Sequence, residues 1–227
     1  MTFHYHLDLE QFSLERFWHI LETGELLPSH RILKEQLHER FAMLEEMGIQ
    51  NLKQLVDALS TPKRIEQFAE RSSLPQEYLA ILRRRTKVYT PEPVPLKEFS
   101  GIDAEHIERL AAIGIKQTRQ LYERAASKAG RANLARQSGV PVSILLELVQ
   151  LSDLVRAGWV GPIFARLFHE AGAQTLETLS QVDVEPFFDR LCTINEEHQY
   201  TKAFATVKIK DLVACIEIAR MLPKEIE

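Results

Sequence analysis

Lysine and arginine are the residues of this chain whose spacing most clearly suggests chemistry, because several of them lie close together in one stretch. Residues 116–136 hold six cations and one acidic residue, Glu123. The six are Lys116, Arg119, Arg124, Lys128, Arg131 and Arg136. Cations at this density can neutralise successive phosphates of a nucleic-acid backbone without reading its sequence. The alternative is a solvated helix face, because charged runs at helical spacing usually face water.

A smaller group of cations lies earlier in the chain and has the same two interpretations. It comprises Arg83, Arg84, Arg85 and Lys87. The formal net charge of the whole chain is −4, which disfavours nucleic acid as a ligand. The charge is uneven, however, since residues 94–157 carry 9 basic and 7 acidic groups and residues 158–227 carry 7 and 11. The middle of the chain is thus net basic and its last third is net acidic.

Few other side chains are spaced for catalysis or metal binding. Glu35-x-x-His38 resembles one arm of a di-iron carboxylate motif, which needs a second such arm and two further helical glutamates that we cannot place. Cys192 and His198 lie six residues apart, so a helix would turn them to different faces and disfavour nucleophilic catalysis. The sequence has no phosphate-binding Gly-rich loop with Lys, no dinucleotide fingerprint and no nucleophile elbow. We therefore expect a non-enzymatic protein with no metal and no cofactor.

The composition is that of an ordinary globular protein, with 45% hydrophobic and 26% charged residues. No apolar run approaches the ~18–20 residues of a membrane span, and the first ten residues contain no signal-peptide core. We expect a cytoplasmic protein with no membrane partner. The two cysteines, Cys192 and Cys215, are too few for a disulfide framework, so we expect buried thiols.

The elements that must position these side chains are predicted to be helices. Period-2 alternation is nearly absent, while spacings of three and four between apolar residues recur throughout. One such run comprises Leu134, Val142, Leu145, Leu148, Leu151 and Val155. The pattern predicts an all-α protein with helices of about 8–16 residues.

An octet that begins with Gly and ends with Leu occurs three times, at Gly48–Leu55, Gly114–Leu121 and Gly172–Leu179. A shift of 66 residues aligns 44–83 with 110–149 without a gap, and 10 of those 40 positions are identical. Internal similarity at this spacing is typical of stacked supersecondary units. The sequence therefore predicts tandem helical repeats.

Each octet predicts the end of one helix and the start of the next. The Gly follows an apolar helix, where a residue in the left-handed conformation commonly ends the helix. The residue after it can fold back onto the preceding turn, as in a Schellman ending. The polar residue three positions after the Gly then caps the next helix, well for Asn51 and Thr175 and poorly for Gln117. The final Leu starts the buried face of that helix.

A second joint recurs between the first two copies. Ser138-Gly139-Val140-Pro141 ends a helix with Gly and starts another with Pro, the expected asymmetry. Its counterpart, Ser72-Ser73-Leu74-Pro75, has Ser73 in the place of the glycine. We expect the same helix–helix turn in both copies.

Three prolines, Pro91, Pro93 and Pro95, separate the first two copies. They favour an extended path, so we expect a semi-rigid spacer and a domain boundary there. The predicted segments are an N-terminal capping helix in 1–32, a first repeat in 33–88, a Pro-rich linker in 89–97, a second repeat in 98–157, and a third repeat with a C-terminal helix in 158–227.

The order of helix, hairpin, helix ending in Gly-Ile and capped helix leading to Leu resembles helix-hairpin-helix domains. Three stretches carry a closer resemblance: Phe99-Ser-Gly-Ile-Asp103 through Gly114-Ile115, Trp159-Val-Gly-Pro162 through Gly172, and Ile194-Asn195-Glu196-Glu197. Through them residues 97–222 resemble the bacterial domain-of-unknown-function family 4332. The internal alignment extends the unit to residues 33–87.

The helix-hairpin-helix resemblance implies DNA binding without sequence readout. In such modules the hairpin carries Gly-φ-Gly (φ apolar), so that backbone N–H groups approach a phosphate at a helix N-terminus. The first glycine position is Glu35, Gly101 and Trp159 in the three copies, and the second is Leu37, Asp103 and Gly161. No copy has both glycines, and a carboxylate at Asp103 would repel a phosphate.

Two binding functions follow from these observations. In the first, the middle and last repeats bind a nucleic-acid backbone through Lys116, Arg119, Arg124, Lys128, Arg131 and the Gly161 hairpin. In the second, the repeats form a protein-interaction scaffold, with Trp159 and the apolar hairpin tips contacting a partner. A core or inter-repeat plug is the alternative role for Trp159. The resemblance favours the first function, whereas the net charge and the broken glycine pairs favour the second.

Overall fold

The computed structural model of the protein describes residues 4–24, 26, 28–202, 204 and 207–227. Residues 1–3, 25, 27, 203, 205 and 206 lie outside the described residues, and with them parts of the predicted segments 1–32 and 158–227. Every regular element of the described residues is helical, which confirms the all-α prediction.

The α-helices have lengths from 5 residues in α11 to 15 residues in α12, a somewhat wider range than the sequence pattern predicts. In chain order they are α1 (Leu14–Thr23), α2 (Leu37–Glu46), α3 (Leu52–Ala58), α4 (Pro62–Ser72), α5 (Gln76–Thr86), α6 (Ala104–Ala112), α7 (Thr118–Ala125), α8 (Lys128–Ser138), α9 (Val142–Leu154), α10 (Pro162–Glu170), α11 (Leu176–Ser180), α12 (Val184–His198) and α13 (Ile209–Met221). Short 3-10 helices occupy Pro28–Lys34, Lys87–Tyr89, Leu96–Glu98 and Val155–Ala157.

The chain forms two compact units. Leu7–Val88, here the 7–88 unit, contains α1 to α5. Tyr89–Glu227 together with the N-terminal segment through His6, here the 89–227 unit, contains α6 to α13. The division follows Val88, at the point where the sequence predicts the start of the Pro-rich linker.

The three octet glycines lie at positive φ, at 85° for Gly48, 84° for Gly114 and 97° for Gly172. In each copy the N–H of the next residue donates to a carbonyl five positions earlier, with N–O distances of 3.0 Å. This is the Schellman ending that the sequence predicts, and it confirms that prediction for all three copies. The leucines that end the octets are fully buried, as expected for residues that start a core-facing helix.

Side chains after the octet glycines satisfy the N–H groups that open the next helix. Asn51 accepts from the Gln54 N–H at 3.0 Å, and Thr175 accepts from the Thr178 N–H at 3.2 Å, so both predicted caps are confirmed. A glutamine at the third helical position adds a contact: Gln54 Oε1 accepts from the Gln50 N–H, and Gln120 Oε1 accepts from the Lys116 N–H. This shared role explains why Gln54 and Gln120 are identical in the internal alignment.

The second joint also has the same geometry in both units. Ser73 has φ 59° and Gly139 has φ 70°, so Ser73 adopts the left-handed conformation of the glycine. In both joints the preceding serine hydroxyl accepts an N–H two residues later, from Leu74 or Val140. Helices α4 and α8 begin and end 66 residues apart, and so do the starts of α5 and α9.

A short antiparallel bridge supports the start of α3 and of α7. In the 7–88 unit the Leu52 N–H donates to the Phe12 carbonyl at 2.9 Å. In the 89–227 unit the Thr118 N–H donates to the Val94 carbonyl at 2.9 Å, so the end of the Pro-rich segment is bound to its own unit. At the start of α11 the equivalent N–H, that of Leu176, donates instead to the Asp153 carboxylate at 2.7 Å. A buried side chain thus replaces the backbone bridge in the third copy.

Candidate functional site

The cations predicted to bind phosphate lie on and around α7 and α8. The side chains of Lys116, Arg119, Arg124 and Lys128 are exposed. Arg119 pairs with Glu123 at 2.8 Å, and Arg124 donates to the amide oxygen of Gln137 at 2.9 Å. Because Arg119 and Arg124 are five residues apart, they are separated by about 140° around α7. The structure therefore does not gather these cations on one helix face.

Arg131 is not available to a ligand, which corrects its assignment as a nucleic-acid contact. Only 3% of the residue is exposed. Its Nη1 donates to the Ala125 and Ala126 carbonyls at 2.9 and 2.6 Å, and its Nη2 donates to the Glu227 carbonyl. The guanidinium ends α7 and holds residue 227 in place, so its role is structural.

An acidic side chain of the protein already lies at the start of α8. The Lys128 N–H donates to the Glu227 carboxylate at 3.1 Å, and the Glu227 N–H donates to the Ala126 carbonyl at 3.1 Å. A helix N-terminus favours negative charge, and Glu227 supplies that charge here. A phosphate at this point would have to displace Glu227.

The hairpin before α6 differs from one that binds phosphate. Gly101, in the first glycine position, has φ 80° and uses the conformational freedom of glycine. Asp103, in the second position, accepts from the Glu105 N–H at 2.9 Å and caps α6. A carboxylate therefore occupies the place where a phosphate would approach the helix, as the sequence predicts.

The hairpin before α10 presents an apolar surface. Gly161 precedes Pro162 at the first helical position, and a Cβ built on Gly161 would have no atom within 4 Å, so the backbone is open there. Trp159 has φ 56° and is 52% exposed, and Ile163 is 44% exposed. The exposure of Trp159 excludes a core position for its side chain. We call Trp159, Gly161 and Ile163 the hairpin patch.

A buried ion pair that the sequence interpretation missed organises the 89–227 unit. Arg156 is fully buried and pairs with Asp153, and its remaining N–H groups donate to Tyr122 Oη and to the His4, Tyr5 and Pro223 carbonyls. Burial raises the pKa of Asp153, and Arg156 opposes that shift. The available signal was a pair of opposite charges three residues apart within the apolar run 148–157.

Further arginines also bind carbonyl groups at helix ends in the 89–227 unit. Arg109 donates to the Gly139 carbonyl at 3.0 Å, Arg190 to the Ala171 carbonyl at 2.9 Å and Arg220 to the Ser180 carbonyl at 3.1 Å. These carbonyls lie where a helix leaves acceptors without intrahelical partners. Much of the arginine content of this unit therefore serves the fold.

Among the described residues, the two thiols and the pair Glu35 and His38, considered above for catalysis or metal binding, lack the arrangement that those roles need. Burial raises the pKa of Cys215 to about 12 and also raises the pKa of Cys192, so thiolate formation is disfavoured at both. Glu35 lies before the start of α2 and pairs with Arg40 at 3.6 Å, so Glu35 and His38 do not share a helix face. Within the described ranges, no group of three or more His, Cys, Asp or Glu side chains is placed to hold a metal ion.

None of the described helices is long and apolar enough to cross a membrane. The comparison with curated proteins finds no match, and neither does the comparison with solved structures. The model of the family described as Domain of unknown function (DUF4332) matches residues 100–222, which is more than half of the chain. The octets at Gly114 and Gly172, the hairpins at Gly101 and Gly161, and helices α6 to α13 all lie within or around this match. The chain belongs to the DUF4332 family.

Proposed function

We propose that this protein is a non-enzymatic interaction module of helix-hairpin-helix-like repeats, and that its hairpin patch binds a protein partner. The exposure of Trp159 at positive φ carries the proposal. A non-glycine residue in this conformation costs of order 1–3 kcal/mol, and such strain clusters at ligand-binding sites. More than half of the residue faces water, so a partner can bury further indole surface on binding.

The hairpin patch is held in place from beneath. Val160, between Trp159 and Gly161, is 5% exposed and anchors the loop in the core. The Cys215 thiol lies 3.8 Å from the Gly158 carbonyl and contacts the loop from α13. A rigid loop that presents an aromatic and an aliphatic side chain loses little entropy on binding. Tryptophan is also among the residues most enriched at interface hot spots.

The charges around the patch favour a protein over nucleic acid. Residues 158–227 carry 11 acidic and 7 basic groups. Arg166 pairs with Glu147 at 2.5 Å, and Arg190 and Arg220 bind carbonyls at helix ends. The described cations of this region therefore offer little excess positive charge for phosphate.

Binding of a nucleic-acid backbone is the second candidate function. It is favoured by the exposure of Lys116, Arg124 and Lys128 and by the helix-hairpin-helix resemblance. Arg131 is not part of this candidate, because its guanidinium is buried in the fold. The cytoplasm is the compartment that we propose for either function.

The test immobilises the unchanged protein and two variants, Trp159→Ser and Ile163→Ser, and compares the amount of partner protein that each one captures. We expect both variants to lose the partner, because each removes apolar surface from the patch. Val142→Ser is the matched control, because Val142 is also an exposed apolar residue, at 48% exposure. It lies at the start of α9, about 18 Å along the axis from Leu154, the end of α9 that leads to the hairpin patch. Partner capture that survives both patch variants would remove the hairpin from the interface.

A titration with generic duplex DNA distinguishes the second candidate. A protein that binds the DNA backbone should lose affinity steeply as the salt concentration rises. The double variant Lys116→Glu with Lys128→Glu should abolish DNA binding at low salt. Trp159→Ser should leave that binding unchanged. If DNA binds at ~50 mM salt and the double charge reversal removes it, nucleic acid replaces protein as the proposed ligand.

A further inference from the structure

A groove in the 7–88 unit is lined by three of the four cations that the sequence groups near residue 85. It has a volume of about 300 Å³ and runs between α4 and α5. Pro62, Ile65 and Ala80 give it an apolar floor. Arg83, Arg84 and Lys87 line it as well, and the lining includes no acidic residue. The groove thus combines an apolar surface with three positively charged side chains.

The lining residues of this groove extend over three turns of helix. Gln76, Ala80, Arg83 and Arg84 of α5 line it on one helix face, and Lys87 lines it from the 3-10 helix that follows directly. From position 76 to position 87 the distance along the axis is about 16 Å. That length matches about five residues of an extended peptide. The groove is therefore shaped for a chain segment rather than for a single small ion.

Contacts within the unit fix one wall of the groove. The Arg83 Nη2 donates to the Ser60 carbonyl at 2.5 Å, directly before Thr61 caps the start of α4. Thr61 Oγ1 accepts from the Arg64 N–H at 3.2 Å. The start of α4 is thus tied to the end of α5, and the cations are held beside the apolar floor.

The cations of the groove keep their charge available. Arg84 and Lys87 are exposed, and no acidic side chain among the described residues forms an ion pair with either of them. The pKa of the neighbouring His30 is lowered by its burial and further by Arg85 and Arg84. The charges of Arg84 and Lys87 are therefore open to a ligand at this end of the groove.

We propose that the groove binds an acidic peptide segment in which apolar side chains alternate with carboxylates. The apolar side chains would contact Pro62, Ile65 and Ala80, and the carboxylates would meet Arg84 and Lys87. An arginine guanidinium binds a carboxylate through two parallel hydrogen bonds, which adds orientation to charge attraction. A nucleic-acid backbone would use the cations but would place charged phosphates against the apolar floor, which is unfavourable.

This binding site is separate from the hairpin patch and does not depend on it. The two surfaces lie on different units and have different chemistry, one apolar and one apolar with a cationic edge. The Trp159→Ser variant should therefore bind the acidic peptide as the unchanged protein does.

The experiment measures binding of a short fluorescent peptide, in which two leucines are set among glutamates, to the full chain. Two further probes are the same peptide with serine in place of leucine, and a single-stranded oligonucleotide of similar charge. Arg84→Glu with Lys87→Glu should weaken peptide binding by about tenfold or more. Ala80→Leu, which fills the floor and leaves the charge unchanged, should weaken it by severalfold. The serine peptide should bind about tenfold more weakly than the leucine peptide.

Arg71→Glu is the matched control, because Arg71 is exposed in the last turn of α4 and does not line the groove. Its affinity should stay within about twofold of the unchanged protein. Circular dichroism checks that each variant is folded, and the surface positions of Arg84 and Lys87 make that double variant the decisive one. Equal binding of the leucine and serine peptides, or no effect of Ala80→Leu, would overturn the proposal. Preferential binding of the oligonucleotide, lost in the double variant, would overturn it in favour of a phosphate site.

Discussion

The α2–α5 part of the 7–88 unit and the α6–α9 part of the 89–227 unit contain corresponding helices in the same order but use their cations differently. In the α6–α9 part, the fold binds three of the six cations in residues 116–136. Arg131 is buried, Arg119 pairs with Glu123, and Arg124 donates to Gln137. In the 7–88 unit, the smaller cation cluster near residue 85 leaves Arg84 and Lys87 exposed along a groove. The larger cluster also leaves Lys116 and Lys128 exposed. The two regions therefore differ in how many of their cations the fold itself binds, which the number of cations in the sequence does not reveal.

Substitution of Arg156 should have the largest effect, because this cation is bound entirely within the fold. Arg156→Met removes the partner of the buried Asp153 carboxylate and should lower the free energy of unfolding by about 3–5 kcal/mol. Urea denaturation of the full chain, followed by circular dichroism, measures the change. Adding Asp153→Asn should recover part of the loss, because the amide oxygen can still accept from the Leu176 N–H. A single variant as stable as the unchanged protein would show that the buried pair is dispensable.

Arg131 and Arg84 form a direct contrast between a used cation and an available one. Arg131→Ala removes the guanidinium donor of the Ala125 and Ala126 carbonyls, of which the Ala126 carbonyl keeps the Glu227 N–H, and should cost about 2–3 kcal/mol of stability. Arg84→Ala removes an exposed side chain and should change stability by less than about 0.5 kcal/mol. Both values come from the same denaturation experiment. Similar losses for the two variants would contradict the contrast on which the comparison depends.

Acid should weaken the 89–227 unit through His6. Burial, followed by repulsion from Arg119 and Arg156, lowers the pKa of His6 from the ordinary 6.5 to about 4. Between these two values the unfolded chain binds a proton that the folded chain does not, so stability falls as the pH falls from ~6.5 towards ~4. Allowing for partial solvent screening, we expect a loss of about 1 kcal/mol from this group.

The His6→Gln variant isolates that contribution. It should flatten the pH dependence between ~4 and ~6.5 relative to the unchanged protein and should not alter its slope above pH ~7. Denaturant midpoints at a series of pH values provide the measurement. His30 and His169, whose pKa values burial also lowers, titrate in both proteins and therefore cancel in the difference. Parallel curves for the two proteins would exclude His6 as a source.

The paired joints at Ser73 and Gly139 give the smallest expected effects. Ser73→Gly places glycine at φ 59° and should raise stability by about 0.5 kcal/mol, since the strain relieved exceeds the added unfolded-state entropy. Gly139→Ser introduces a Cβ at φ 70°, 3.3 Å from the Arg109 guanidinium, and should lower stability by about 1 kcal/mol. Thermal denaturation resolves changes of this size. Effects of the same sign for both variants would show that the joints are not equivalent.

The helix ends could be predicted from sequence because their causes are local. Gly48, Gly114 and Gly172 end helices through bonds that span five residues, and Asn51 and Thr175 cap helices through bonds that span three. The hairpin substitution at Asp103 was interpreted correctly for the same reason, since its carboxylate caps its own helix. Helices α4 and α8 begin and end 66 residues apart, as do the starts of α5 and α9, while the tandem repeats themselves stay a prediction.

The candidate site was harder to predict, because availability of a side chain depends on residues far away in the chain. Arg131 binds residue 227, 96 positions later, and Arg156 binds residues 4 and 5, about 150 positions earlier. No periodicity or spacing records such contacts. Trp159 was assigned an interaction role and an alternative core role, and its exposure distinguishes them.

Local patterns thus account for the helical class, the Schellman endings at the octet glycines and the Asp103 cap of α6, because each depends on backbone sterics and hydrogen bonds within a few residues. Only tertiary packing determined which cations are available to a ligand. It buries Arg131 and Arg156 and leaves Arg84 and Lys87 beside an apolar groove. The physical reason is that a charge is stabilised by whatever acceptors the fold brings to it, and those acceptors come from segments distant in sequence.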